Sequence, residues 1–162
     1  MKTAIVYSSM TGHTKKYAEW LAEELGIDAV PYAERGSIDL EAIDTLVFCS
    51  WFHAASVVNA KWLKREMRRR PELKVAVLVT GATPMPESGW GDENEIEQAF
   101  RRTFPEGEYA DIPWFYCHGG FDFDKLDAPN KMAMRMFFKM NDKNAGDPKT
   151  AEMLAVMREG FD

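Results

Sequence analysis

The chemistry-bearing stretch nearest the start of the chain is Ser8-Ser9-Met10-Thr11-Gly12-His13-Thr14, which follows the apolar run Thr3 to Tyr7. Its seven residues hold four hydroxyls and one glycine, and no Lys or Arg. A short loop entering a helix N-terminus presents several backbone N–H groups and the positive end of the helix dipole. The hydroxyls of Ser9, Thr11 and Thr14 can add donors, and Gly12 lets the backbone approach a ligand closely. Such a loop can hold a phosphate without a counter-cation. Taken alone, the same residues also describe a Ser/Thr-rich turn that caps a helix.

Missing residues narrow the chemistry. The string GxxxxGK[ST] does not occur in the chain. A phosphate-accepting receiver would carry an acidic pair after the first strand and an Asp at the end of the third, where Tyr7-Ser8 and Cys49-Ser50 stand. The loop also lacks the Cys and Arg of a cysteine-dependent phosphatase, and no GxGxxG follows the first strand. It is therefore suited to holding a terminal phosphate rather than transferring it.

A loop of this kind needs a strand before it and a helix after it, and the chain supplies both. Thr3 to Tyr7 reads as a buried parallel strand, short and rich in β-branched residues. A helix is predicted over His13 to Leu25, with Tyr17, Trp20, Leu21 and Leu25 at helical spacing and Gly26 as the stop. Asp28 to Tyr32 reads as a weaker second strand, then residues 33–44 as a loop with a helical turn near Leu40 to Ile43. Thr45 to Cys49 is the third strand, followed by the loop SWFHAAS and a helix from Val57 to Arg70, which ends before Pro71. Lys74 to Thr80 is the fourth strand, Glu93 to Phe104 a helix, and Ile112 to His118 the fifth strand. Helical segments near Pro129 to Met140 and Ala151 to Gly160 close the chain.

Strand and helix alternate five times, which calls for a parallel sheet covered by helices on both faces. The expected fold is α/β, a three-layer doubly wound five-stranded sheet of order 2-1-3-4-5 in one domain, residues 1–162. Ligands on such a sheet bind at the carboxyl ends of the strands. That order also puts the fourth strand between Cys49 and Cys117, about 10 Å apart by strand spacing and too far for a disulfide.

Bulk properties set the class. The 162 residues carry 46% hydrophobic and 28% charged side chains, which are globular values. A net charge of −6 argues against a general nucleic-acid binder. The basic run Lys61 to Arg70 reads as the solvated face of a helix. With two distant cysteines, no CxxC and no Cys/His cluster, neither zinc nor a redox dithiol is expected. The apolar run at the N-terminus is too short for a signal peptide, and no stretch is long enough to span a membrane. A cytoplasmic setting is the expectation.

Ser9-Met10-Thr11-Gly12-His13-Thr14 resembles the [ST]-x-T-G-x-T phosphate loop of the flavodoxins, five-stranded doubly wound FMN proteins. FYCHGGFDFDKLDAPNKMAMRMFFKM (Phe115 to Met140), LVFCSWFHAAS and VAVLVTGATP are similar to the matching parts of the flavodoxin-domain branch that includes the quinone-linked protoporphyrinogen oxidases. The likeness covers nearly the whole chain. It implies FMN, with its phosphate in Ser9 to Thr14. Ser50, Trp51, Phe52, His53 and Ala54 would lie on one side of the ring, and Thr80, Gly81 and Ala82 on the other. Gly119 and Gly120 would approach the ring edge or a substrate. An aromatic side chain commonly stacks on the ring in these proteins, and Trp51, Phe52 and Trp90 are the candidates. Trp90 lies in Gly89-Trp90-Gly91-Asp92, later after the fourth strand than the family's G-x-G-D loop. His53 is the candidate proton donor, with a surface loop histidine as the other reading. Surplus acidic charge would lower the potential of a bound flavin.

The expected function is an FMN-binding redox protein, an electron carrier or a small flavin oxidoreductase, working with a redox partner protein or a quinone. Two alternatives stay open: a quinone-linked protoporphyrinogen oxidase, and a non-redox binding protein on the same fold. The oxidase reading lacks the Arg-rich loops that would meet an anionic porphyrin, since SWFHAAS and HGGFDF are neutral to acidic apart from His. The segment Pro129 to Met140 (PNKMAMRMFFKM) has more apolar surface than one buried face needs and carries Lys131, Arg135 and Lys139. Besides core packing, it allows a peripheral membrane or partner contact.

Overall fold

Parallel strand pairing builds the frame of this computed structural model, which describes residues 2–82, 93–142, 146 and 148–161. The strands are β1 (Thr3–Tyr7), β2 (Ala29–Pro31), β3 (Thr45–His53), β4 (Ser56–Val57), β5 (Lys74–Gly81) and β6 (Trp114–His118). The order β2-β1-β3-β5-β6 is parallel throughout, and β4 pairs with the end of β3 alone, antiparallel. With β4 set aside, this is the doubly wound order 2-1-3-4-5. As that order requires, β5 separates Cys49 from Cys117: Cys49 pairs with Leu78, and Thr80 pairs with Cys117. Both thiols are free.

The helices are α1 (His13–Leu25), α2 (Ala60–Arg69), α3 (Glu93–Thr103), α4 (Glu106–Tyr109), α5 (Ala128–Asp142) and α6 (Pro148–Glu159). Contacts divide the chain into two compact units, Met1–His118 and Gly119–Asp162. In the first unit, side chains alternate between the two faces of each strand. Leu46 and Phe48 of β3 and Val77 and Val79 of β5 meet Trp62 and Leu63 of α2 and Phe100 and Phe104, all buried. Phe100 stacks on Trp114 with centroids 4.3 Å apart. Ile5 and Cys49 face the other way and are covered by Ala18 and Ala22 of α1. These small residues let α1 lie close against the sheet. Gly26 ends α1 at φ 65°, donating to the carbonyls of Ala22 and Glu23.

The basic run behaves as a helix face: Lys61, Arg65, Arg68 and Arg69 are exposed while Trp62, Leu63 and Glu66 are buried. Glu66 accepts from Arg65 Nε at 3.0 Å and from Arg69 Nη1 at 2.8 Å. Arg70 Nη1 donates to the carbonyls of Leu40 and Ile43.

Several boundaries differ from the sequence expectation, each for a local reason. The third strand runs on to His53 because β4 folds back on it, pairing Phe52 with Val57 and His53 with Ser56. The following helix starts at Ala60, because Asn59 sits in the left-handed region at φ 61°. The last strand starts at Trp114, since Pro113 has no N–H for the ladder.

In the second unit α5 packs on α6. Asp127 opens α5, its Oδ1 accepting from Asn130 N at 3.0 Å. Phe121 and Phe161 form a two-way backbone bridge, and Gly160 (φ 76°) is needed there because a Cβ would lie 2.9 Å from the Phe121 carbonyl oxygen.

Candidate functional site

The carboxyl ends of β1, β3, β5 and β6 lie side by side, so the segments that follow β1, β3 and β5 share one end of the sheet. The β1 segment is built around Gly12. Its φ of 99° is one that a side chain would make costly, and a Cβ there would meet nothing within 4 Å among the described residues. Open space therefore borders the backbone at the entry to α1. Gly12 N donates to Ser9 Oγ at 3.2 Å, a tight turn, and Gly12 O accepts from Lys16 N at 3.0 Å to start the helix. Gly12 stands at the N-cap with no side chain to cap the helix, and no acidic residue lies in the first turn. Ser9, Thr11 and Gly12 are half-buried and Met10 is exposed, whereas His13 and Thr14 are buried.

Two side-chain hydrogen bonds hold this turn in place. Thr14 Oγ1 and Thr80 Oγ1 are hydrogen-bonded at 2.8 Å, with either hydroxyl able to donate, joining the first turn of α1 to the end of β5. Thr80 Oγ1 also lies 3.5 Å from the Ser50 carbonyl oxygen as a donor. Asn59 Nδ2 donates to Ser8 Oγ at 2.8 Å, joining the turn to the segment between β4 and α2. Tyr17 Oη donates to the His118 carbonyl at 2.9 Å, which ties α1 to the end of β6. Ser8, Asn59 and Tyr17 were not among the sequence-derived candidates. The signal for Asn59 is its type, since asparagine tolerates the left-handed backbone better than most residues.

On β3 the alternation separates the aromatic candidates. Trp51, paired with Thr80, faces the α1 side with His53, and their rings lie 5.4 Å apart. Phe52 faces the opposite side and stacks with Tyr116 at 6.2 Å. Gly81 sits under that pair: a Cβ would lie 3.0 Å from Tyr116 and 3.2 Å from Phe52. Ser50 is fully buried, and its hydroxyl donates to the Val58 carbonyl at 2.7 Å. Ala54 and Ala55 form the tip of the β3–β4 hairpin at φ 46° and 57°. His53, Ala54 and Ala82 are exposed. Gly119 and Gly120 belong to the second unit, the former buried. Trp90 lies outside the described residues.

The thiols offer no nucleophile near neutral pH. Burial pushes Cys49 from 9.0 up to about 12, with a further push from Cys117. Burial also raises Cys117. Among the described residues no His/Cys/Asp/Glu cluster could hold a metal ion. No helix among them is long and apolar enough to cross a membrane.

A doubly wound parallel sheet, with a Gly-containing turn leading from its first strand into a helix N-terminus, defines an α/β domain of the doubly wound class. A family model, the flavodoxin domain, matches residues 4–147, and the chain belongs to that family. Among solved structures the chain is similar to the Trp repressor binding protein from Bacillus subtilis, with 15% identity and a TM-score of 0.44 over 73% of this chain and 85% of that one. It is also similar to the flavodoxin, WrbA-like protein from Agrobacterium tumefaciens, with 16% identity and a TM-score of 0.43 over 71% and 82%. No curated protein matches the chain.

Proposed function

We propose that this protein binds FMN at the carboxyl end of the sheet and serves as an electron carrier or small flavin oxidoreductase. One observation carries the reading: the turn at Gly12 leaves open space against the backbone at the N-terminus of α1, with no acidic side chain in the first turn. A terminal phosphate fits that space. The helix dipole supplies about half a positive charge, and in this reading the half-buried Ser9 and Thr11 add hydroxyl donors. Thr14 acts one step back, bracing the turn through Thr80. Family membership supports the flavin.

FMN, when bound, supplies one- and two-electron transfer. The chain's part is to hold and orient it. Trp51 is the proposed stacking residue, because Phe52 is committed to Tyr116 on the other face. Exposed His53, beside Trp51, is the proposed group for moving a proton. The electron partner is a redox protein or a quinone. The loop sequences SWFHAAS and HGGFDF, at the ends of β3 and β6, carry no Arg or Lys to meet an anionic porphyrin, so a protoporphyrinogen oxidase is not the reading favoured.

Titration of the purified protein with FMN, read by flavin fluorescence and absorbance, tests this. Stoichiometric uptake is expected, with Thr11→Glu weakening it tenfold or more (about 1.4 kcal/mol) through repulsion of the phosphate. Protein that takes up no FMN would favour the non-redox alternative. Undiminished binding by the Thr11 variant would overturn the assignment of the loop.

A further inference from the structure

The segment that the flavin reading leaves unused is α5. Its inward-facing residues are Met134, Phe137, Phe138 and Asn141, all half-buried. Phe138 lies 6.5 Å from Phe123, and Arg158 stands over its ring at 5.1 Å. That face meets the helix's need for packing.

A second apolar line is left in solvent. Met132, Met136 and Met140 recur every four residues, so they share one stripe along the helix. They are 67%, 60% and 67% exposed. Beside that stripe runs a parallel line of cations, Lys131, Arg135 and Lys139, also at four-residue spacing, of which Arg135 and Lys139 are exposed. Asp142, at the end of the helix, is bonded to Arg158 at 2.5 Å. The chain as a whole carries a net charge of −6, so this cationic line stands out against its background.

We propose that α5 lies on the surface of an anionic lipid bilayer. A line of methionines beside a line of cations is the geometry of an in-plane interfacial helix. The thioethers enter the acyl boundary, while the long basic side chains reach the phosphates. The stripe spans about 12 Å along the axis, and its unbranched side chains adapt to a fluid surface. Each exposed cation near such a surface adds about fivefold to binding. Those contacts weaken with salt, because the screening length falls from about 10 Å at 0.1 M to about 3 Å at 1 M. The surface is independent of the flavin, so it stands or falls separately.

The test is co-sedimentation of the full chain with vesicles of phosphatidylglycerol and phosphatidylcholine in equal parts, against pure phosphatidylcholine, read by protein in the pellet. Binding to the anionic vesicles is expected, with release in 0.5 M NaCl. R135Q/K139Q should weaken it about 25-fold, and M132Q/M136Q/M140Q at least about tenfold, both with an unchanged circular dichroism spectrum. No binding to anionic vesicles, or equal binding to pure phosphatidylcholine, would overturn the proposal. So would a stable dimer in light scattering that the methionine variant abolishes, since a second copy would then cover the stripe.

Discussion

The two alanines at the tip of the β3–β4 hairpin give the sharpest test of the local geometry. A two-residue loop here joins strands paired through His53 and Ser56, and both loop residues have positive φ, 46° at Ala54 and 57° at Ala55. That matches the twist of the flanking strands, but the turn normally calls for Asn or Gly. An L-residue held in the left-handed region costs about 1–2 kcal/mol. Glycine removes that cost, while its extra freedom in the unfolded chain costs about 0.4–1 kcal/mol. Ala55→Gly should therefore stabilise the protein by about 0.5–1 kcal/mol, and the double variant by about 1–2 kcal/mol. For a chain of this size the double variant should raise Tm by about 2–8 °C in a calorimetric melt. Ala133→Gly, on the exposed face of α5, is the contrast and should cost about 1 kcal/mol. If the hairpin glycines lower Tm as the helix glycine does, the alanines are not in the left-handed region and the reasoning fails.

Three further outcomes follow from contacts at the same end of the sheet. Thr14→Val and Thr80→Val each break the hydrogen bond of a buried hydroxyl pair 2.8 Å apart, leaving Thr80 only its longer 3.5 Å bond to the Ser50 carbonyl in the first case, so each should cost about 1–2 kcal/mol in urea unfolding. The double variant should cost clearly less than the sum, and strict additivity would refute the pairing. Gly81→Ala drives a methyl to 3.0 Å from Tyr116 and 3.2 Å from Phe52 and should destabilise by about 1–3 kcal/mol, less in a Tyr116→Leu background. Cys49 ionises near 9.0 in the unfolded chain and near about 12 when folded. Its contribution to stability is thus full below pH 9 and is lost as pH rises toward 12, at up to about 1.4 kcal/mol per pH unit. The gap between wild type and Cys49→Ala should narrow over that range, and a constant gap would contradict the burial of the thiol.

Much of this protein is legible in its residues taken in order. The apolar β-branched runs at Thr3, Thr45 and Lys74, alternating with helical spacing, dictate a doubly wound sheet because only that arrangement buries them. The uncharged turn from Ser9 to Thr14 is equally plain, since hydroxyls and a glycine ahead of a helix are local features. Tertiary structure decided the rest. The sequence lists Trp51 and Phe52 as equals, and strand alternation along β3 separates them, with Tyr116 of β6 reaching Phe52 across β5 and Trp51 left beside His53. Gly81 read as a residue beside a ligand, and the fold adds two of the protein's own rings where its Cβ would stand. Thr14 read as a phosphate donor, and the fold adds a hydroxyl partner 66 residues away, Thr80. In each case the deciding neighbour is brought in by long-range pairing, which no local pattern encodes, because β3, β5 and β6 meet only once the crossovers between them have folded.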